Sequence, residues 1–173
     1  MIHRRSQNIL MIMDACVLID FIKADPVVLQ LIVKHVGLLH VIGPVIDEVD
    51  QIEDENDLIE LGLIVVEPEI EDAFTAGSLS GPLSFQDWLC MLTAKRHHFS
   101  CVTNDKNLRK QCKNDGISII WGLELLAALH KSGGLSGADV LAIAKQIRTA
   151  NPTHITEKII SNFEEIIKGQ ETE

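Results

Sequence analysis

Short apolar runs alternate with helical patterns along the whole chain, and this alternation constrains the fold more than any other feature. β-prone apolar runs stand at 8–13, 39–42, 63–66, 100–103 and 117–120. Helix-period segments read at 15–23, 26–37, 44–52, 57–61, 69–76, 84–97, 106–114, 122–131, 137–149 and 155–168. Strands interleaved with helices in this way imply an α/β fold with a mostly parallel sheet. Composition points the same way. Aromatic residues are only 4% of the chain and Tyr is absent, so the core has to be built from Ile, Leu, Val and Ala. That suits strands buried on both faces. A hydrophobic fraction of 46% against 23% charged residues excludes a disordered chain. A length of 173 residues suffices for one self-sufficient core.

Several function classes drop out early. Cys16, Cys90, Cys101 and Cys112 are scattered without a Cys-x-x-Cys spacing, so they read as reduced core thiols of a cytoplasmic protein, not as a zinc site or disulfide frame. Arg4 and Arg5 before an apolar run mimic a secretory leader, but Asp14 breaks the run and Asp20 and Lys23 follow it. No segment approaches the roughly 20 apolar residues of a membrane span. The net charge of −10 is unevenly spread. Eight acids and no base lie between Asp47 and Glu60, whereas six bases face Asp105 alone between Lys95 and Lys113. Bulk charge therefore does not exclude a nucleic-acid partner.

Ligands of an open parallel sheet sit beyond the carboxyl ends of its strands. The fourth apolar run ends there in Thr103-Asn104-Asp105, and the first ends in Asp14. Asp14 and Asp105 also read as helix N-caps. Asp87, three residues after Ser84, reads as part of a capping box and equally as an acid at the mouth of a buried helix face. In a helix spanning 44–52, Glu48 completes the apolar stripe of Val45, Val49 and Ile52, where a carboxylate needs a partner or a metal. Capping does not explain why four acids all fall where strands end or helices begin. Converging carboxylates with no His or Cys beside them suit a hard cation, magnesium or manganese, which can promote water attack on a phosphodiester. Asp20, on another helix face, is set aside.

The series Asp14-Ala-Cys-Val-Leu-Ile, Pro44-Val45-Ile46-Asp47-Glu48-Val49, Leu83-Ser84-Phe85-Gln86-Asp87 with Ala94, and Val102-Thr103-Asn104-Asp105-Lys106-Asn107-Leu108 resembles the PIN-domain ribonucleases, especially the VapC-like toxins of toxin–antitoxin pairs. Gly116-Ile117 opens a last strand in the same manner. The resemblance implies a three-layer α/β/α fold with a five-stranded parallel sheet in the order 3-2-1-4-5, and magnesium-dependent (or manganese-dependent) cleavage of RNA. It implies Asp14, Glu48, Asp87 and Asp105 as catalytic metal ligands supported by Thr103 or Asn104. It also implies a cognate antitoxin as partner, and a homodimer is expected.

Residues 1–132 are expected to form the nuclease domain. Residues 133–173 form a helical extension packed on it, serving dimerisation, partner binding or a lid, with a frayed tail from Gln170. Lys95, Arg96, Lys106, Arg109 and Lys110 are candidates for the RNA backbone, with solvated helix ends as the plain alternative. Trp88 and Trp121 are read as core, although Trp121 could also stack a base. A non-catalytic RNA- or protein-binding module of the same fold is the rival reading. A receiver-type phosphoacceptor fits poorly, because strand three ends in Glu67-Pro68 and strand five in Trp121-Gly122.

Overall fold

The computed structural model describes residues 9–172. Asn8 of the expected first strand, and Arg4 and Arg5, lie outside the described residues. The chain runs β1 (Ile9–Met13), α1 (Ala15–Ala24), α2 (Val27–His35), β2 (Gly37–Ile42), α3 (Gly43–Ile46), α4 (Glu55–Leu61) and β3 (Leu63–Val66). It continues through α5 (Ile70–Ser78), α6 (Phe85–His97), β4 (Ser100–Val102), α7 (Lys106–Asn114), β5 (Ile119–Ile120), α8 (Gly122–Lys131), α9 (Gly137–Ala150) and α10 (Glu157–Glu171). The five strands form one sheet in the order β3-β2-β1-β4-β5, with every pairing parallel. This is the order the resemblance implied. Among the described residues, no helix is long and apolar enough to cross a membrane.

Side chains of a strand point alternately to opposite faces, and β1 divides its residues accordingly. Met11 and Met13 enter a core shared with α1, α2, α4, α8, α9 and α10. Ile12 enters a second core with Val45 of α3, α6 and the Leu108 and Cys112 side chains of α7. Helices thus cover both faces. The first core includes Val140, Ile143, Ile147, Ile155, Ile160, Phe163 and Ile167, so the C-terminal helices share their hydrophobic interior with β1 and α1. Close pairing of β1 and β2 requires a glycine at one place. A Cβ on Gly37 would lie 2.1 Å from the Ile9 carbonyl oxygen.

Three expectations about element bounds are corrected. The helix read over 44–52 stops at Ile46, and the chain continues in tight turns in which Glu48, Val49 and Ile52 donate to carbonyls three residues back. The acids that follow would have lain at the negative end of the helix dipole, where they oppose helix continuation. Strand five shortens to two residues because the Ile117 N–H is taken by the Cys112 carbonyl at the end of α7, 2.9 Å away. The tail expected to fray from Gln170 instead continues α10 to Glu171.

Candidate active site

All five strands run the same way, so their carboxyl ends lie along one edge of the sheet. There Asp14, Glu48, Asp87 and Asp105 line a single pocket of about 210 Å³, together with Ala15, Cys16, Ser84 and His154. The four acids come from four separate places: the end of β1, the turn after α3, the first turn of α6 and the start of α7.

The capping and site readings of these acids turn out to be compatible. Asp14 caps α1 through Oδ1, which accepts the Val17 N–H at 3.0 Å. Asp87 caps α6 reciprocally with Ser84, accepting the Ser84 N–H at 3.0 Å. Asp105 caps α7, accepting the Leu108 N–H at 2.7 Å. Each of these bonds engages one carboxylate oxygen, and a carboxylate has two.

Asp14 is the most constrained of the four. Its own N–H donates to the Val102 carbonyl at 3.1 Å, joining the ends of β1 and β4. Its Oδ2 accepts the hydroxyl of Thr103, and that same hydroxyl oxygen accepts the Asp105 N–H at 3.0 Å. One buried threonine therefore holds two of the acids. Burial is the main reason that the Asp14 carboxyl is pushed up to about 7, with Asp87 and Asp105 adding like charge. Hydrogen bonds from Thr103 and Val17 oppose the rise. The Glu48 carboxyl is raised for the same two kinds of reason, burial first and Asp87 second. Among the described residues that line it, the pocket thus gathers four carboxylates and neither a lysine nor an arginine.

Thr103→Val keeps the shape and removes the hydroxyl. It is expected to destabilise the protein by about 1–3 kcal/mol, because it leaves a buried carboxylate oxygen without its donor. Urea unfolding measures this, and an unchanged midpoint would remove Thr103 from the support of the site.

Other expectations are revised. Glu48 is exposed at the pocket rim; Val45 and Val49 fill the buried stripe without it. Asn104 does not support the acids: its Oδ1 accepts the Gly122 N–H at 3.0 Å, fixing the start of α8. A Cβ on Gly122 would crowd that amide at 3.2 Å. Lys95 and Arg96 lie in the last turn of α6, roughly 12–14 Å along its axis from Asp87. Lys95 pairs with Asp115 at 3.0 Å, and Arg96 makes a forked pair with Asp72 at 2.7 and 2.8 Å. Both are thus held in ion pairs with acids of the protein while remaining partly exposed.

Lys106 and Lys110 stay exposed on α7. Arg109 donates to the Asn104 carbonyl and lies 3.5 Å over the ring of Trp121. Trp121 is 37% exposed and is not a core residue, whereas Trp88 is buried. Cys16 lines the pocket, but its thiol is pushed up to about 12, first by burial and then by Asp14 and Asp20. It therefore lacks the thiolate that a nucleophile needs. His154 is the lining residue that no local pattern announced, since it lies in the connection between α9 and α10.

Comparison with known proteins adds little to this geometry. No family model and no curated protein matches the chain. Among solved structures, the chain is similar to a PilT N-terminus domain protein from the hyperthermophilic archaeon Sulfolobus solfataricus P2. The likeness has a TM-score of 0.48 and 14% identity, covering 69% of this chain and 92% of the other. A likeness this loose carries no functional argument.

Proposed function

We propose that the chain is a PIN-type, metal-dependent endoribonuclease. The observation that carries this reading is the meeting of four carboxylates, from four elements, in one pocket at the carboxyl edge of a parallel sheet. Their donor atoms are all oxygens, which fits magnesium or manganese. Asp14, Glu48, Asp87 and Asp105 would hold the ion. When bound, such a cation neutralises charge at a phosphodiester and lowers the pKa of a bound water. Thr103 keeps Asp14 and Asp105 oriented, and exposed Ser84 and half-buried Asp87 hold each other through the α6 cap. Lys106 and Lys110, exposed on α7, would meet RNA phosphates, and such contacts weaken with salt without reading sequence. A toxin role in a toxin–antitoxin pair and a cognate antitoxin belong to the same proposal through the motif resemblance, and a homodimer and, from the scattered cysteines, a cytoplasmic setting are proposed with them.

The test is cleavage of a mixed structured and single-stranded RNA pool by the purified protein. Cleavage is expected with magnesium or manganese and is expected to stop with chelator. Cleavage that persists in chelator would overturn the metal-dependent reading.

The rival reading, a non-catalytic binding module, draws on one observation. Among the described residues, no three His, Cys, Asp or Glu side chains are gathered tightly enough to hold an ion as they stand. Mutual repulsion of unneutralised carboxylates accounts for that spacing equally well. Titration calorimetry with magnesium separates the two readings, because the binding module would take up no heat-producing equivalent of metal.

A further inference from the structure

The C-terminal helices do more than close the hydrophobic interior: their connection enters the acidic pocket. Residues 151–156 join α9 to α10 and are anchored at both ends. Ile155 is 2% exposed and packs in the core, and its N–H donates to the Asn151 carbonyl at 3.1 Å. The Asn151 side-chain amide approaches the two carboxylate oxygens of Asp20 on α1 at 3.4 and 3.5 Å. His154 lies between these anchors, is itself exposed, and lines the pocket with the four acids. It is also near enough to Asp20 to act on that carboxyl electrostatically.

Among the described residues lining the pocket, the others offer carboxylates, a hydroxyl, a thiol and a methyl group. His154 alone brings a side-chain nitrogen donor. A phosphodiester entering this mouth meets like charge from four carboxylates, and the imidazole of His154 offers it an N–H instead.

We propose that His154 is a substrate-contacting residue whose imidazole N–H hydrogen-bonds a non-bridging phosphate oxygen of the RNA beside the bond to be cut. Asn151 acts through it as a positioning residue, tying the connection to Asp20. This inference rests on the RNA-cleaving reading and deepens it, giving the C-terminal extension a part in the site.

The experiment uses the full chain, with His154→Ala and His154→Gln, and an RNA oligonucleotide that the wild-type protein cleaves in magnesium. His154→Ala is expected to raise KM about tenfold, the worth of one hydrogen bond to a charged group, with kcat within about twofold. In the non-cleaving Asp14→Asn background, fluorescence anisotropy should show a similar loss of RNA affinity on adding His154→Ala. His154→Gln keeps an N–H donor and should recover most of the affinity. Magnesium affinity by calorimetry and the melting temperature should not change, because an exposed side chain supports neither the ion nor the core.

A wild-type KM in His154→Ala would overturn the inference, as would His154→Gln behaving like His154→Ala. A loss of magnesium affinity would make His154 a metal ligand and would likewise overturn the phosphate contact. If the wild-type protein neither binds nor cleaves RNA, the ribonuclease reading falls, and this inference falls with it. If the wild type cleaves and His154→Ala is unaffected, only the inference falls.

Discussion

Asp14→Asn protein is expected to lose RNA cleavage by about 100-fold or more while melting at or above the wild-type temperature in chelator. The first half follows from the position of Asp14 among the pocket acids and from its burial, at 3% exposure. Residues that merely support a metal ligand cost 10–100-fold when removed, so a ligand itself should cost at least the upper figure. The second half follows from what the substitution retains. The Asn carbonyl oxygen can still accept the Val17 N–H that caps α1. Its amide can donate to the Thr103 hydroxyl oxygen, which has two lone pairs and already receives the Asp105 N–H. A buried like charge beside Asp87 and Asp105 disappears, which in metal-free protein can only relieve repulsion. Cleavage assays and thermal melts of the two proteins in chelator measure both halves. Full-rate cleavage by Asp14→Asn would sink the site assignment, and a collapsed fold would show that the carboxylate serves structure instead.

Ending the chain at Lys131 is expected to abolish cooperative folding. The removed segment contributes Val140, Ile143, Ile147, Ile155, Ile160, Phe163 and Ile167 to the core on one face of the sheet. Burying such a side chain is worth about 1.5–3 kcal/mol, so the seven together contribute on the order of 10–20 kcal/mol. Whole domains are stable by only about 5–15 kcal/mol. Truncation would also expose the faces of α1 and α8 that these helices cover, inviting aggregation. Circular dichroism melts of the 1–131 protein check the prediction. A soluble fragment with a sharp transition would mean that the extension is an appendage, not part of the folding unit.

The layout of the sheet was legible because its signals are local. Apolar runs of strand length, separated by helix-period segments, indicate parallel strands joined by helical crossovers, although which strands become neighbours is not written in them. Asp14, Asp87 and Asp105 could be found for a similar reason. Each stands at a strand end or helix start, and the N-cap chemistry that marks such positions is written within three residues: Asp14 with Val17, Ser84 with Asp87, Asp105 with Leu108.

Glu48 was found through a helix that the chain does not complete. Periodicity continued past Ile46, but periodicity reports which residues are buried, not which hydrogen bonds form. Val45 and Val49 remain buried in tight turns, and Glu48 reaches the pocket rim from outside the stripe.

Partner choice across the fold left no mark in the local pattern. The charges of Lys95 and Arg96 were plain, but Arg96 is committed to Asp72 on another helix, 24 residues away. Trp121 looked like core until Arg109 was found over its exposed ring. The connection carrying His154 is tied to Asp20 through Asn151, across 131 positions of sequence. The parallel α/β alternation and the cap positions arise from short-range backbone and side-chain chemistry, and the residues alone were enough to indicate them, whereas the strand order came only with the motif resemblance. Which side chains share the pocket depends on packing between elements distant in sequence, and only the folded chain decides that.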